Sequence, residues 1–525
     1  MSSVAARSLP DVQEQTAGWA GGVNTRDAPN MLAPNEALRI ENVDLAERGA
    51  ASKRNGVYSM GQFSATGTQR VISMYAFYRG ASAPQLLIQT SGGVLRYTND
   101  PTADPIVWTD IATGLSTTAR MSFETFNSKC YVSNGVDAYA SWDGTTYTVF
   151  PSAPKGKYLR LFKDTMWVSG ITGTPDRVYS SNPGDAETFG VASWVDIAHG
   201  DGDLVTALGT DGLYLIVFKR NRTMTIYDPV TYANRVVDFE KGCESHFSVI
   251  QFENAIYFLS RRGICQYLGD SPSRYLSYKI DPIWDPAVTN LATLDTTFAY
   301  VFGQRIGWAV PESGSSYPTF QIEYYPRLAD RSQDQETAGI GPFAFQRMPA
   351  QAFALWRSGT NERLFAGSNL ANKVYWVFRP GQTTDDGVAF QGLIESKAYD
   401  FKSVDHTKYI RRARLFGRGK FQMLVRRNFE SAVYRTYPVD LTASADLWSA
   451  SDLWGTGTWG PDSNIKQARI NMDVYGRFFS LTFIDAEVGS ATKIVSVGSS
   501  DYRLPIGEWT IFGVLMDGTL LGVRE

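Results

Sequence analysis

Cysteine and histidine are scarce: the 525 residues contain three of each. The thiols Cys130, Cys243 and Cys265 form no Cys-x-x-Cys pair, and an odd number in a long chain argues against a disulfide framework. They read as buried thiols. His199, His246 and His406 have no ligand spacing to another His or Cys beyond Cys243 and His246, three apart and without a second pair. They read as structural, and neither a metal nor a cofactor is expected. Long apolar runs are also missing. No stretch approaches the roughly 18 residues of a membrane span, and the first ten residues lack the apolar segment of a signal peptide. Synthesis and folding in a cytoplasm are expected.

Neither sign of charge dominates. There are 50 Lys and Arg against 53 Asp and Glu, a formal charge of −3. A protein that grips nucleic acid over its whole surface needs a basic footprint. Near-balance excludes that, yet it suits a conduit past which DNA slides, since each added Lys or Arg contact would hold a phosphate. Catalytic signatures are missing too: there is no Gly-x-Ser-x-Gly elbow and no Walker loop. Carboxylates are plentiful, but none is singled out as half of a glycosidase pair. The reading is that the chain is not an enzyme.

What is present is aromatic residues and glycine: 27 Tyr, 29 Phe and 13 Trp beside 47 Gly. This combination fits twisted strands joined by tight turns. From about residue 68 a unit recurs: an apolar strand, a short turn, then a strand ending near a tyrosine. It begins with Gln85–Thr90 and Val94–Tyr97. Six more copies follow, up to Arg363–Gly367 and Lys373–Phe378. The closing tyrosines are Tyr97, Tyr139, Tyr179, Tyr227, Tyr267, Tyr325 and Tyr375, at separations of 42, 40, 48, 40, 58 and 50. A four-stranded propeller blade takes about 40–50 residues. The expected fold is all-β: a β-propeller of about seven blades over residues 61–390, with an insertion in the sixth. A string of β-sandwiches is the alternative.

The flanks differ. Residues 1–60 are rich in turn residues and read as an extended, Gly-hinged arm that latches onto a neighbouring subunit. Residues 391–525 carry alternating segments and read as a C-terminal, sandwich-like β domain. Within it, Arg411, Arg412 and Arg414 begin the densest basic stretch, and Trp448, Trp454 and Trp459 crowd one loop. Together with Trp19 and Arg26 of the arm, these are the interface candidates, because Arg and Trp recur as interface anchors. For the basic stretch, the competing reading is a solvated strand protected by charge. For the tryptophans, it is a buried cluster. Gly200-Asp201-Gly202-Asp203 invites a calcium reading. An EF-hand needs Gly at position six and Glu at twelve, where this chain has Thr206 and Gly212. A turn capping a blade is the plainer reading. Trp142-Asp143 is similar to the dipeptide of WD-type propellers, but occurs once in such a context.

Three stretches together carry a family likeness. They are Gly21-Gly22-Val23-Asn24-Thr25-Arg26-Asp27-Ala28-Pro29, with Asn42–Leu45 and Arg48–Ala50 after it; Gly200–Leu208 with Leu215–Lys219; and Ile256–Gly263 with Leu276–Ile280. The combination resembles the propeller-containing virion proteins of bacteriophage tails, the nozzle or tail-hub proteins of short-tailed phages and their relatives. The resemblance is a pattern of strands and turns that spans most of the chain. It implies a structural subunit in the virion tail. That subunit would form a homo-oligomeric ring, typically six-fold, around the DNA-ejection channel. It would contact adaptor or portal-side proteins above and tail fibres at the side, with DNA passing through unread. The alternative function is a receptor-binding tail protein whose propeller binds or cleaves glycans.

Overall fold

The middle strands of the repeat form hairpins, the most buried of them largely apolar. In the computed structural model they are Ser82–Thr90 and Val94–Thr98, Lys129–Ser133 and Ala140–Trp142, Thr165–Ile171 and Thr174–Asn182, Leu215–Lys219 and Thr223–Ile226, Ala255–Ser260 and Gly263–Leu268, Arg305–Val310 and Phe320–Tyr324, and Asn361–Ser368 and Lys373–Val377. Leu215–Lys219 and Thr223–Ile226 are buried at every position. The structure describes residues 11–45, 50–64, 67–80, 82–269, 271–329, 341–441, 466–485, 493–497, 500–504 and 509–521.

Each middle pair gains an inner strand on one side: Val71–Arg79, Ser122–Phe126, Tyr158–Phe162, Val205–Thr210, Ile250–Phe252, Phe298–Phe302 and Ala350–Ser358. Five blades are completed by the next strand in sequence. The seventh is completed by Tyr58–Gln62, which pairs antiparallel with Lys373–Val377. One strand from before the first blade thus closes the ring. Inner strands of neighbouring blades pack side by side, with the turn His246–Ser248 mediating between the fourth and fifth, and the last, Ala350–Ser358, packs on the first, Val71–Arg79. Separate apolar clusters fill the spaces between blades. Met60, Val71, Leu86 and Phe365 join the seventh to the first, and Phe77, Leu87, Cys130 and Trp142 join the first to the second. The chain is therefore a seven-bladed β-propeller, and all three cysteines are buried and free.

The propeller comprises residues 57–323 and 347–380. The second unit comprises residues 1–56, 324–346 and 381–525, a division that differs from the arm, propeller and C-terminal domain read from the sequence. Within the former arm, Asp11–Ala17 pairs over seven residues with Trp509–Leu520. Glu36–Glu41 pairs with Leu393–Tyr399, and Ala51–Lys53 also pairs with Trp509–Leu520. Residues 11–17, 36–41 and 51–53 are thus strands of the β unit that the C-terminal segment forms.

The centre of that unit is the 20-residue strand Lys408–Arg427. Its first half lies between Lys466–Gly476 and Trp509–Leu520. Its second half lies between Arg435–Leu441 and Phe479–Asp485. One strand shared by two sheet halves lets both bury the same face: Ile410, Leu415, Phe421, Met423, Phe483 and Trp509 are all buried. Two buried ion pairs tie the N-terminal segment in. Lys53 Nζ lies 2.9 Å from Asp485, which also accepts from Trp509 Nε1 at 2.6 Å. Arg54 donates to both oxygens of Asp385 and stacks on Phe390.

Candidate functional site

The sequence-derived interface residues divide sharply. Trp19 is a correction: it is fully buried, edge-on to Phe483. Gly18 and Gly22 on either side have positive φ, and a Cβ on Gly22 would lie 2.6 Å from the Pro342 and Phe343 backbone. That turn drives the indole inward. Arg26 is exposed on a turn held by Asn24, whose side chain also donates to Asp27 and Glu36. Arg411 pairs with Asp11 at 2.7 Å and Arg414 with Asp517 at 3.1 Å. Arg412, set off by a bulge between Ile410 and Arg412, is exposed. Further along the strand, Lys420 meets Asp440 and Arg426 meets Glu395. Carboxylates of nearby strands therefore meet four of the eight cations of Lys408–Arg427. Trp448, Trp454 and Trp459 lie outside the described residues.

The Gly200–Asp203 loop already holds a cation, and it comes from the chain itself. Lys219, fully buried, places Nζ 2.7 Å from Asp201 and 3.1 Å from Asp176, and donates to the carbonyls of Ala198 and Asp203. Arg222 adds a contact to Asp201 at 3.2 Å. Burial alone would raise the Asp201 carboxyl, but Lys219, the Asp203 N–H and Arg222 outweigh it, and its pKa is lowered. Trp142, buried between the first two blades, donates to Gln85 at 2.8 Å, while Asp143 organises the following turn.

The chemistry left open lies on the propeller axis. The inner strands and the short helical turn His246–Ser248 surround a cavity of about 380 Å³. Aromatic pairs line much of it: Tyr75 stacks on Phe123 at 5.4 Å, Phe247 on Phe298 at 5.6 Å, and Tyr300 meets Phe353 at 4.4 Å. Two opposite charges stand among them. Arg160 of the third blade donates to Glu124 of the second at 3.1 Å. Burial pushes the Glu124 carboxyl up and Arg160 draws it back, with a net rise.

His246 is locked beside this pair. Its Nδ1 accepts from the Leu208 N–H at 3.3 Å, so Nε2 carries the proton and donates to Ser122 Oγ at 3.1 Å. Burial, with Arg160 adding to it, lowers its pKa to about 3. The ring is neutral and both nitrogens are committed. Gln251, from the fifth blade, also lines the cavity. Sequence reasoning missed Glu124, Arg160, His246 and Gln251 as a group. They come from different blades, and only the repeat itself, which marks where each inner strand must fall, could have pointed to them.

No protein-family model and no curated protein matches this chain. Among solved structures, it is similar to the computationally designed Ika8 protein, at 8% identity and a TM-score of 0.34 over 61% of this chain and 99% of that one. It is similar to YCF48 bound to D1 peptide, at 10% identity and a TM-score of 0.36 over 60% and 94%. It is also similar to BBS1N in complex with ARL6DN, at 10% identity and a TM-score of 0.36 over 63% and 98%.

Proposed function

We propose that the protein is a structural subunit of a bacteriophage tail, a nozzle or hub component that assembles into a ring around the DNA-ejection channel. The observation that carries this reading is where the resemblance-bearing stretches fall in the fold. Gly22-Val23 runs parallel to Glu36–Glu41 in the second unit. Gly200–Leu208 caps the fourth blade around Lys219. Ile256–Gly263 supplies the first strand and the turn of the central hairpin of the fifth blade. Each stretch builds a joint of the scaffold, as expected of a likeness rooted in architecture. The ring would be homo-oligomeric and typically six-fold, with adaptor and fibre proteins as neighbours, and the protein would reside in the virion tail. It would act by holding shape, without catalysis.

Electron microscopy of the purified full chain tests the reading. Closed rings with a central opening wide enough for duplex DNA support it. A monomer at every concentration, alone or mixed with the neighbouring tail proteins, overturns it.

A further inference from the structure

The axial cavity holds a charge pair whose hydrogen-bonding capacity is largely unused. A guanidinium has five N–H donors and a carboxylate about four acceptor sites, whereas Arg160 and Glu124 share a single bond of 3.1 Å and Glu124 accepts one more from the Leu161 N–H. Both line the cavity, with side chains 32% and 16% exposed. The pair is already balanced. A carboxylate entering to meet Arg160 would stand beside Glu124, and an ammonium entering to meet Glu124 would stand beside Arg160. Each would add an uncompensated charge in a confined space. His246 cannot compensate, because both ring nitrogens are committed and the ring is neutral.

The occupant that fits is neutral, with an acceptor and a donor on adjacent atoms, so that one bridges to Arg160 and the other to Glu124. Vicinal hydroxyls have that arrangement. Most of the remaining lining is apolar, with aromatic residues such as Phe123 and Phe247 beside aliphatic ones such as Leu208 and Ile250, and offers an apolar surface to the C–H side of a ring. A volume of about 380 Å³ falls within the range of small-ligand sites and has room for one or two sugar rings. We propose that the axial cavity binds a neutral saccharide unit, its adjacent hydroxyls bridging Glu124 and Arg160 and its apolar face lying on the apolar wall. The unit could be a free sugar or the end of a surface glycan. The inference stands apart from ring assembly: rings can form with the cavity empty, and the cavity can fill in a monomer.

The test is saturation-transfer NMR on the folded full chain. The probes are neutral mono- and disaccharides, with benzoate and choline as charged controls of similar size. At least one neutral sugar should bind saturably and both charged probes should not. Glu124→Gln should weaken binding about tenfold or more, because it removes a hydrogen bond to a charged group. Gln251→Ala, at an exposed cavity-lining position, should weaken it severalfold and decides the matter if Glu124→Gln does not fold. Binding by a monosaccharide as tight as by an oligosaccharide with the same terminal unit identifies a free sugar. Clearly tighter binding of the oligosaccharide identifies a glycan end. No saturable sugar signal, tighter binding of benzoate or choline, or sugar binding unchanged in the folded variants overturns the proposal.

Discussion

At the scale of single residues, two buried groups carry opposite lessons about charge. Lys219 is fully buried, yet it has two carboxylates and two carbonyls around its ammonium. Removing one partner from such a set leaves like charges facing each other without compensation, at a cost of about 3–5 kcal/mol. Lys219→Met should therefore lower the thermal midpoint of the propeller strongly at pH 8. The defect should shrink as pH falls into the carboxylate range, where Asp201, deprived of the ammonium, can take up a proton. In the wild type, the lowered carboxyl of Asp201 gives stability that is present above the ordinary carboxylate range and lost as pH falls through its folded value. Thermal melts of both proteins across that range check this, and a defect independent of pH would refute the ion-cage account. His246 shows the reverse case. Its folded pKa of about 3 lies below the ordinary 6.5, so between those values the unfolded chain binds a proton that the folded one refuses. Its contribution is complete above pH 6.5 and declines as pH falls towards 3, by a few kcal/mol at most. His246→Gln should lower stability at neutral pH and flatten the slope of urea midpoints between pH 6.5 and 4. An unchanged slope would mean that other groups set it.

At the scale of elements, the middle strands of the blades were legible and their neighbours were not, for a physical reason. The most buried middle strands are covered on both faces and are written as largely apolar runs, such as Leu215–Lys219. Inner strands face the axis and outer strands face solvent, so Tyr158–Phe162 and Tyr147–Val149 are mixed and short. The closing strand Tyr58–Gln62 was hidden because its partner lies more than 300 residues away. Met60 on that strand is buried among Phe63, Val71 and Phe365. Met60→Asp should cost more than about 3 kcal/mol, whereas Val149→Asp on an exposed outer strand should stay within about 0.5 kcal/mol. Comparable losses in chemical denaturation would count against closure by Tyr58–Gln62. The N-terminal segment was hidden in another way. Asp11–Ala17 reads DVQEQTA, without the alternation of a half-buried strand, but pairs along its whole length with Trp509–Leu520. A latch could be removed without harm to its own subunit. Deleting residues 1–30 removes this ladder and Trp19, so it should destabilise the second unit and raise hydrogen exchange over residues 509–520. Unchanged exchange there would restore the latch reading.

At the scale of the whole molecule, the proposed ring raises the question of how it would guide DNA without holding it. Affinity for phosphate grows with each cation that releases counterions. This chain has three fewer Lys and Arg than Asp and Glu, 50 against 53. Its densest basic strand meets carboxylates through Arg411, Arg414, Lys420 and Arg426. Paired cations attract little, since exposed pairs are worth about 1 kcal/mol or less and screen one another. The axial cavity of the propeller, at about 380 Å³, is on the scale of a small-ligand site and not of a duplex. Passage, if the protein forms a ring, must follow the axis shared by the subunits. The expected outcome is weak retention: a dissociation constant for duplex DNA above about 10⁻⁴ M at physiological salt, and a slope of log affinity against log salt close to zero. Fluorescence anisotropy on a labelled duplex, measured from low to physiological salt with the assembled protein, checks both. A slope of several would mean that assembly builds a basic track from the subunits, and the lumen would then be a grip and not a conduit.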